Sequence, residues 1–170
     1  MPKTIADGRV LLTALLTPPE NINAITVAEL EAGQKISCKI MKSDFQLGPT
    51  GSSNITETEL CKTGEGQAWG LSSGAGSLTV FRYLDEDGKA DPTDDVAWDV
   101  LKEKGTNIVL VRRDGPLESE AWAEGDEYSA FEVTTDDPQY PTDLGGYIKR
   151  TVPLAVANMA LDKTVVAAAA

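Results

Sequence analysis

Histidine is absent from this 170-residue chain, and the absence removes much of the usual chemistry of active sites. Histidine is the commonest general base near neutral pH and the commonest protein ligand for transition metals. The serines of the Gly-rich stretches therefore have no histidine to activate them as nucleophiles. We predict a protein that is not an enzyme and that carries no cofactor or metal.

Cysteine is nearly as scarce, with only Cys38 and Cys61. The two lie in unlike contexts and lack the CxxC spacing of a metal or redox site. One disulfide between them is conceivable on sequence grounds, but free cysteine is among the most buried residue types. We therefore expect two buried free thiols.

Basic residues are also few: 15 Lys and Arg stand against 27 Asp and Glu, which gives a net charge of −12. Binding to a nucleic acid backbone depends on a basic surplus that releases counterions, so we expect no tight binding of DNA or RNA. The apolar run at residues 10–16 is too short to cross a bilayer, and no signal-cleavage motif follows it. The sequence predicts no membrane segment and synthesis in the cytoplasm.

What remains is a composition that suits one folded domain, 41% hydrophobic and 25% charged. Apolar, β-branched and aromatic residues concentrate in short runs of strand length. Predicted strands lie at residues 10–16, 36–41, 77–84, 107–112, 127–135 and 147–156. Pro153 within the last run indicates an edge strand or a bulge, because proline cannot donate to a central ladder.

One helix is predicted at about residues 92–104. Asp91 is placed to cap it, Pro92 suits the first turn, and Gly105 suits the end. Many strands with a single helix indicate a mainly β fold, a β-sandwich or barrel with one flanking α-helix and long loops. The longest loop is predicted at about residues 43–66, with a strand in its descending arm around residues 55–62.

The acidic stretch YLDEDGKADPTDD, residues 83–95, raises the question of a calcium loop. With Gly88 at position six of an EF-hand loop, Tyr83 occupies position one, where an acid is required, and Asp94 replaces the bidentate Glu of position twelve. The stretch is better interpreted as a turn and a helix start. Its carboxylates leave one alternative function open, a calcium-stabilised binding module.

The three tryptophans extend that alternative. Trp69, Trp98 and Trp122 would suit a carbohydrate platform, although tryptophan is more often part of a core or an interface. The alternative function is thus a secreted or surface β-sandwich module that binds carbohydrate or is stabilised by calcium.

Two segments resemble a known family. The string FEVTTDDPQYPTDLGGYIKRTVPLAV at residues 131–156 resembles the C-terminal block of the major tail proteins, the tail-tube subunits of long-tailed, non-contractile bacteriophages, especially those that infect actinobacteria. The start ADGRVLLT, residues 6–13, resembles the opening of the same proteins. The resemblance implies a structural virion protein of the phage tail, and another phage structural protein of similar fold, such as a connector or decoration subunit, is a further alternative.

The same resemblance implies what the protein does and with what. Such subunits have a β-sandwich or barrel core with a flanking helix and self-assemble into hexameric rings stacked as a tube, through which DNA is ejected into the host. The partners are then other copies of the chain and further tail proteins, namely the tape measure, the tail terminator and the distal tail protein. A single tail-tube domain would include an N-terminal arm at about residues 1–9, an inter-ring loop at 43–66 and a flexible tail at 163–170.

Two sets of residues follow as candidates for these roles. Contacts between copies are predicted for the long loop and for the start of the last strand, at Gly48, Pro49, Thr50, Gly51, Ser52, Ser53, Asn54, Tyr147 and Ile148. A conduit for DNA should not hold phosphate, so an acidic lining fits the net charge. The predicted lumen-facing carboxylates are Glu57, Glu59, Glu127 and Glu132.

Overall fold

The computed structural model describes residues 3–64 and 66–167, and its described strands form one antiparallel sheet with the order β2-β1-β5-β6-β7-β4-β3. The strands are β1 Val10–Leu15, β2 Gln34–Lys35, β3 Gln46–Ile55, β4 Ala68–Phe81, β5 Asn107–Asp114, β6 Glu127–Thr135 and β7 Lys149–Thr164. The helices are α1 Val27–Glu31 and α2 Val96–Leu101, with a 3-10 turn at Ser37–Lys39. The prediction of a mainly β protein is confirmed.

The sheet rolls on itself, and the chain between β2 and β3 connects its two sides. The Ile36 N–H donates to the Leu12 carbonyl on β1 at 2.9 Å, and the Met41 N–H donates to the Thr79 carbonyl on β4 at 2.8 Å. Only a few residues separate these two bonds, so β1 and β4, which are not neighbours in the sheet, lie close together. The result is a barrel-like roll.

The interior of the roll is filled by apolar side chains from non-neighbouring strands. They include Leu12, Leu78, Leu110, Phe131 and Val152, each at most 2% exposed. Side chains of α2 join them, which explains why this helix is apolar on one face. Burial at this scale is the main favourable term that stabilises the fold.

The outer face of β1, β5 and β6 carries a second apolar cluster, covered by α1 and Trp122. Thr26 and Glu29 form a capping box at the start of α1. The Tyr128 hydroxyl accepts from the Ile25 N–H at 3.0 Å and donates to the Ile22 carbonyl at 2.9 Å. Burial raises the pKa of this phenol. Both faces of this part of the sheet are therefore packed.

Arg113 fixes the loop that follows β5. Its guanidinium is fully buried, donates to three backbone carbonyls within residues 117–121 at 2.9 Å each, and pairs with the Asp126 carboxylate at 2.8 Å. The Trp122 ring lies 4.9 Å from it. A buried charge is tolerated only with such partners, so this clamp holds residues 115–126 against the barrel.

The predicted helix exists but is shorter, at Val96–Leu101, and Asp95 rather than Asp91 stands at its N-cap. The Asp91 carboxylate instead accepts from the Thr93 N–H at 2.7 Å and the Asp94 N–H at 3.0 Å, which makes a separate turn before the helix. The five-residue α1 was not predicted, because one turn is too short to show an apolar period.

The predicted strand at residues 36–41 is wrong, since its central half, Ser37–Lys39, is the 3-10 turn and only Ile40 forms an isolated bridge. The Leu12 N–H donates to the Ser37 hydroxyl at 2.6 Å, so a side chain takes the place of a ladder partner. The alternation of apolar and polar residues arises because Ile36 enters the core while its neighbours face outward.

The prediction that residues 147–156 form an edge strand is also wrong. The strand β7 lies between β6 and β4. Pro153 is tolerated there because it sits beside the end of β6: its partner on that side is Asp136, whose N–H donates to the Pro153 carbonyl at 3.0 Å. The missing N–H thus faces a position just beyond β6, and the sheet edges are β2 and β3.

The structure differs from three other expectations. Cys38 and Cys61 are free, as expected, but exposed rather than buried. In the segment predicted to be a flexible tail, Lys163 and Thr164 complete β7, Val165 is buried and the Val166 N–H donates to the Ile25 carbonyl at 3.1 Å, while residues 168–170 lie outside the described part of the chain. In the N-terminal arm, Arg9 donates to the Gly115 carbonyl at 2.7 Å, so the described end of the arm contacts the barrel.

Candidate assembly surfaces

The predicted assembly residues 48–54 do not form a loop but lie on β3, the strand at one edge of the sheet. They pair with residues 69–75 of β4. The run GPTGSSN is rich in turn formers, yet cross-strand pairing decides its conformation. Edge position tolerates Pro49, and Gly51 has φ 143° at a bulge, a backbone conformation that favours glycine.

The hairpin formed by β3 and β4 separates from the rest of the sheet along its length. The strand β4 pairs with β7 only from Gly76 to Phe81, while its residues 68–75 pair with β3 alone. We name the part made of residues 48–75 the distal hairpin. Its backbone groups on the side away from β3 therefore have no strand partner within the described structure, which makes this an open edge.

The two strands of the distal hairpin carry no charge in a strongly acidic chain, whereas the segment that joins them contains Glu57, Glu59, Lys62 and Glu65. No charged residue occurs at residues 46–56 or 66–81. Large apolar side chains are nevertheless exposed on it. Trp69 and Leu71, 80% and 85% exposed, lie on one face of β4 and are named the hairpin patch, while Ile55 lies on the other face and Leu60 in the joining segment. Ile55 and Leu60 fall within the predicted inter-ring loop at 43–66, whereas sequence reasoning did not select Trp69 and Leu71, although the uncharged run around them was a visible signal.

A second exposed apolar surface lies in the segment before β7. We name it the loop patch, and its members are Tyr140, Leu144, Tyr147 and Ile148. Tyr147 is 82% exposed but packs edge-on against Phe81, with ring centroids 5.8 Å apart. The Ile148 carbonyl accepts from the Arg82 N–H at 2.9 Å. The predicted pair Tyr147 and Ile148 is thus exposed and held in place, and Leu144 joins it.

The four predicted acidic residues do not share one surface. Glu127 and Glu132 are separated by five positions on β6, and strand alternation places them on opposite faces. Glu132 pairs with Val109, on the face of the outer apolar cluster. Glu57 and Glu59 lie instead in the segment that joins β3 to β4, where Glu59 forms an exposed ion pair with Lys62 at 3.0 Å.

The acidic stretch 83–95 uses its carboxylates to hold its own backbone. Asp85 accepts from the Asp87 and Lys89 N–H groups at 3.0 and 2.8 Å, and Asp95 pairs with Arg82 at 2.8 Å. Two backbone N–H groups lower the pKa of the Asp91 carboxyl, the Thr93 N–H first. Over residues 3–64 and 66–167, no three acidic, histidine or cysteine side chains gather as metal ligands.

The three tryptophans lie in unlike environments and do not form one platform. Trp122 is buried and donates to the Thr13 hydroxyl at 3.1 Å. Trp98 is partly buried in the core, with the Arg82 guanidinium 4.5 Å from its ring. Trp69 alone is exposed among the three. This arrangement does not favour the carbohydrate-binding alternative.

No helix in the described part of the chain combines the length and the apolar character that crossing a membrane demands. The described structure is instead a rolled sheet with a projecting hairpin. The strands of this hairpin are uncharged, and apolar side chains are exposed on the hairpin and in the segment before β7. The chain belongs to the phage tail tube protein family, whose model matches residues 1–169. It is therefore a structural component of the virion tail, and membership supports a structural rather than a catalytic role.

Solved structures are similar to this fold. One is the SPP1 tail tube, with a TM-score of 0.55 and 15% identity over 96% of this chain and 81% of that one. Another is a chain of the anti-feeding prophage (AFP) baseplate, described as 6-fold symmetrised, with a TM-score of 0.50 and 14% identity over 99% of this chain and all of that one. No curated protein matches the sequence.

Proposed function

We propose that this chain self-assembles into hexameric rings that stack into the tube of a long, non-contractile phage tail. The observation that carries the proposal is the distal hairpin, a projecting element with uncharged strands, an open strand edge and exposed apolar side chains. Such an edge is costly for a monomer, because it invites pairing with another chain. Family membership and the six-fold symmetry of the AFP baseplate structure support the proposal of a hexameric ring.

The tube is proposed to conduct DNA into the host during ejection. A net charge of −12 supports this role, because an acidic lining repels phosphate and lets the strand pass without binding. Glu57, Glu59, Glu127 and Glu132 remain candidates for the lining. Since Glu127 and Glu132 are on opposite faces of β6, a lumen formed by one face would contain only one of these two.

Rings at the two ends of the tube would meet other proteins. Stacking of identical subunits leaves one hairpin-bearing face free at one end and a different face free at the other. We propose that the tail terminator and the distal tail protein cover these faces, and that the tape measure occupies the lumen during assembly.

Electron microscopy of the purified protein tests the proposal. In a matched variant, an Asn-Gly turn replaces residues 49–74, which keeps the Gly48 and Ala75 pair as the flank of a short hairpin. We expect rings or tubes from the natural chain. The trimmed variant should keep a cooperative melt and a β-type circular dichroism spectrum, weakened only by the loss of the removed strand residues, but should form no tubes. Tubes of normal length from the trimmed variant would contradict the role of the hairpin.

A further inference from the structure

One broad side of the sheet is left uncovered in the described structure. The outer side of β1, β5 and the first half of β6 is covered by α1 and Trp122. Beyond them the outer side continues across β6, β7, β4 and β3, because side chains alternate along each strand and Val133, Leu154 and Leu78 occupy the core side. We name this surface the uncovered face, and its members, all half-buried or exposed, are Gln46, Gly48, Ala75, Ser77, Glu132, Thr134, Pro153, Ala155 and Asn158.

The uncovered face differs in charge from the rest of the surface. Glu132 is its single charged member, in a chain with 25% charged residues and a net charge of −12. Charges at its margins already have partners: Asp44 accepts from the Thr79 hydroxyl, and Asp136 pairs with Lys104 at 2.9 Å. The solvent side of an antiparallel sheet is normally polar, so a side with one charge needs an explanation other than contact with bulk solvent.

The size of the side chains separates the two surfaces that a tube subunit would enclose, the contact with another copy and the wall of the lumen. Protein interfaces depend on large side chains such as Tyr, Trp, Met and Arg, which fill pockets of the partner. The uncovered face has none of these among its members. Its Gly, Ala, Ser and Pro residues project little, and no lysine or arginine among them can hold phosphate. Both features suit a wall along which a polyanion moves.

We propose that the uncovered face lines the lumen of the tube, and that Glu132 is the one charged residue that each copy presents there to the passing DNA. The proposal rests on the proposed tube and selects among its candidate carboxylates. Glu127 is on the opposite side of β6, and Glu57 and Glu59 lie in the segment that joins β3 to β4, so none of these three belongs to this face. The lining is then short, neutral and interrupted by one carboxylate per copy.

The surroundings of Glu132 leave its charge available for this role. None of the ion pairs found within residues 3–64 and 66–167 includes it. Its cross-strand partners are Val109 and Asn158, which are uncharged. In a ring, equivalent carboxylates at one height form a belt of negative charge that repels phosphate from every side. Such a belt keeps the duplex away from the wall.

Cysteine labelling of assembled tubes tests where the face lies. The variant Ala155→Cys is made with Cys38→Ser and Cys61→Ser, so that each copy holds one thiol. In tubes we expect reaction with a small maleimide but not with a maleimide carried on a large polymer, which cannot pass along the bore. The unassembled variant is the control and should react with both. Tubes that react with both reagents would have this face outside, and tubes that react with neither would have it between copies, and either result overturns the lining.

Charge reversal tests Glu132 against a matched control on the same strand. Tubes of Glu132→Lys grown with short duplex DNA should protect at least about tenfold more DNA from nuclease than tubes of Glu127→Lys, because several lysines then face one duplex. Raised salt should release that DNA. Equal protection by the two variants would overturn the role of Glu132 and leave the tube intact. If Glu132→Lys forms no tubes, the labelling of Ala155→Cys still decides the lining, whereas failure of the natural chain to form tubes would overturn the proposed function itself.

Discussion

The two halves of β4 have opposite characters. Residues 76–81 pair with β3 or its preceding segment on one side and β7 on the other, and Leu78 is 0% exposed. Residues 68–75 pair with β3 alone, and Leu71 is 85% exposed. One strand therefore belongs to the core at one end and projects from it at the other. The core half contributes to folding, and the projecting half is the part to which we assign the proposed assembly role.

The largest expected effect comes from truncating a leucine in each half of β4 and comparing the two losses of stability. Leu78→Ala should lower the free energy of unfolding by about 3 kcal/mol, through lost burial and the cavity that remains. Leu71→Ala on the same strand should change it by less than about 0.5 kcal/mol, since that side chain is exposed. Urea unfolding of unassembled protein measures both. Equal losses would show that the distal half also stabilises the fold.

A pair of glycines tests where the boundary between the halves lies. A Cβ at Gly74 would stand 2.8 Å from Val156 Cγ1 and 2.7 Å from Met159 Sδ, so β7 crosses β4 closely there. Gly74→Ala should destabilise by about 1 to 3 kcal/mol through overpacking. Gly48→Ala meets open space and should be neutral or slightly stabilising. Similar melting temperatures for both variants would place the boundary elsewhere.

Salt should affect assembly more than folding. The acidic body of each copy repels its neighbours over about 8 Å at physiological ionic strength, while the strands of the distal hairpin carry no charge to be screened. Tube growth followed by light scattering should accelerate as sodium chloride is raised, with little change in the urea midpoint of the monomer. Growth that is independent of salt would show that repulsion does not limit stacking.

The smallest effect concerns the turn that follows the core half of β4. The Asp91 pKa is lowered by the Thr93 and then the Asp94 N–H groups, so its contribution to stability is present above the ordinary carboxyl pKa and disappears as pH falls through the lowered one. Asp91→Ala should be slightly less stable than the natural chain at pH 7 and equal to it in strong acid. Tube growth should not change. A difference that persists in strong acid would contradict this origin.

Several strands are predictable from sequence because burial is continuous or alternating within them. The apolar runs of β1 and β5 and the residues of β6 mark strands directly, and β6 is predicted with its observed bounds Glu127–Thr135. The strand β3 is not predictable in this way. Its Gly, Pro and Ser residues have low intrinsic preference for a strand, and only pairing with β4 orders them.

The location of the candidate surfaces can be predicted from the sequence better than the side chains that are exposed on them. Residues 48–54 lie on the distal hairpin and Tyr147 and Ile148 in the segment before β7, but the loop predicted for the first set is a strand, and the edge strand predicted for the second pair lies inside the sheet. The exposed apolar residues Trp69 and Leu144 could not be identified, because sequence alone does not reveal whether an apolar side chain is in the core. Exposure is a property of the whole fold.

The clamp at Arg113 bears on how the fold responds to a change of acidity. Three of the acceptors around its guanidinium are backbone carbonyls, which have no proton to gain or lose in water. The loop that follows β5 is therefore held to the barrel mainly by acceptors whose charge does not depend on pH.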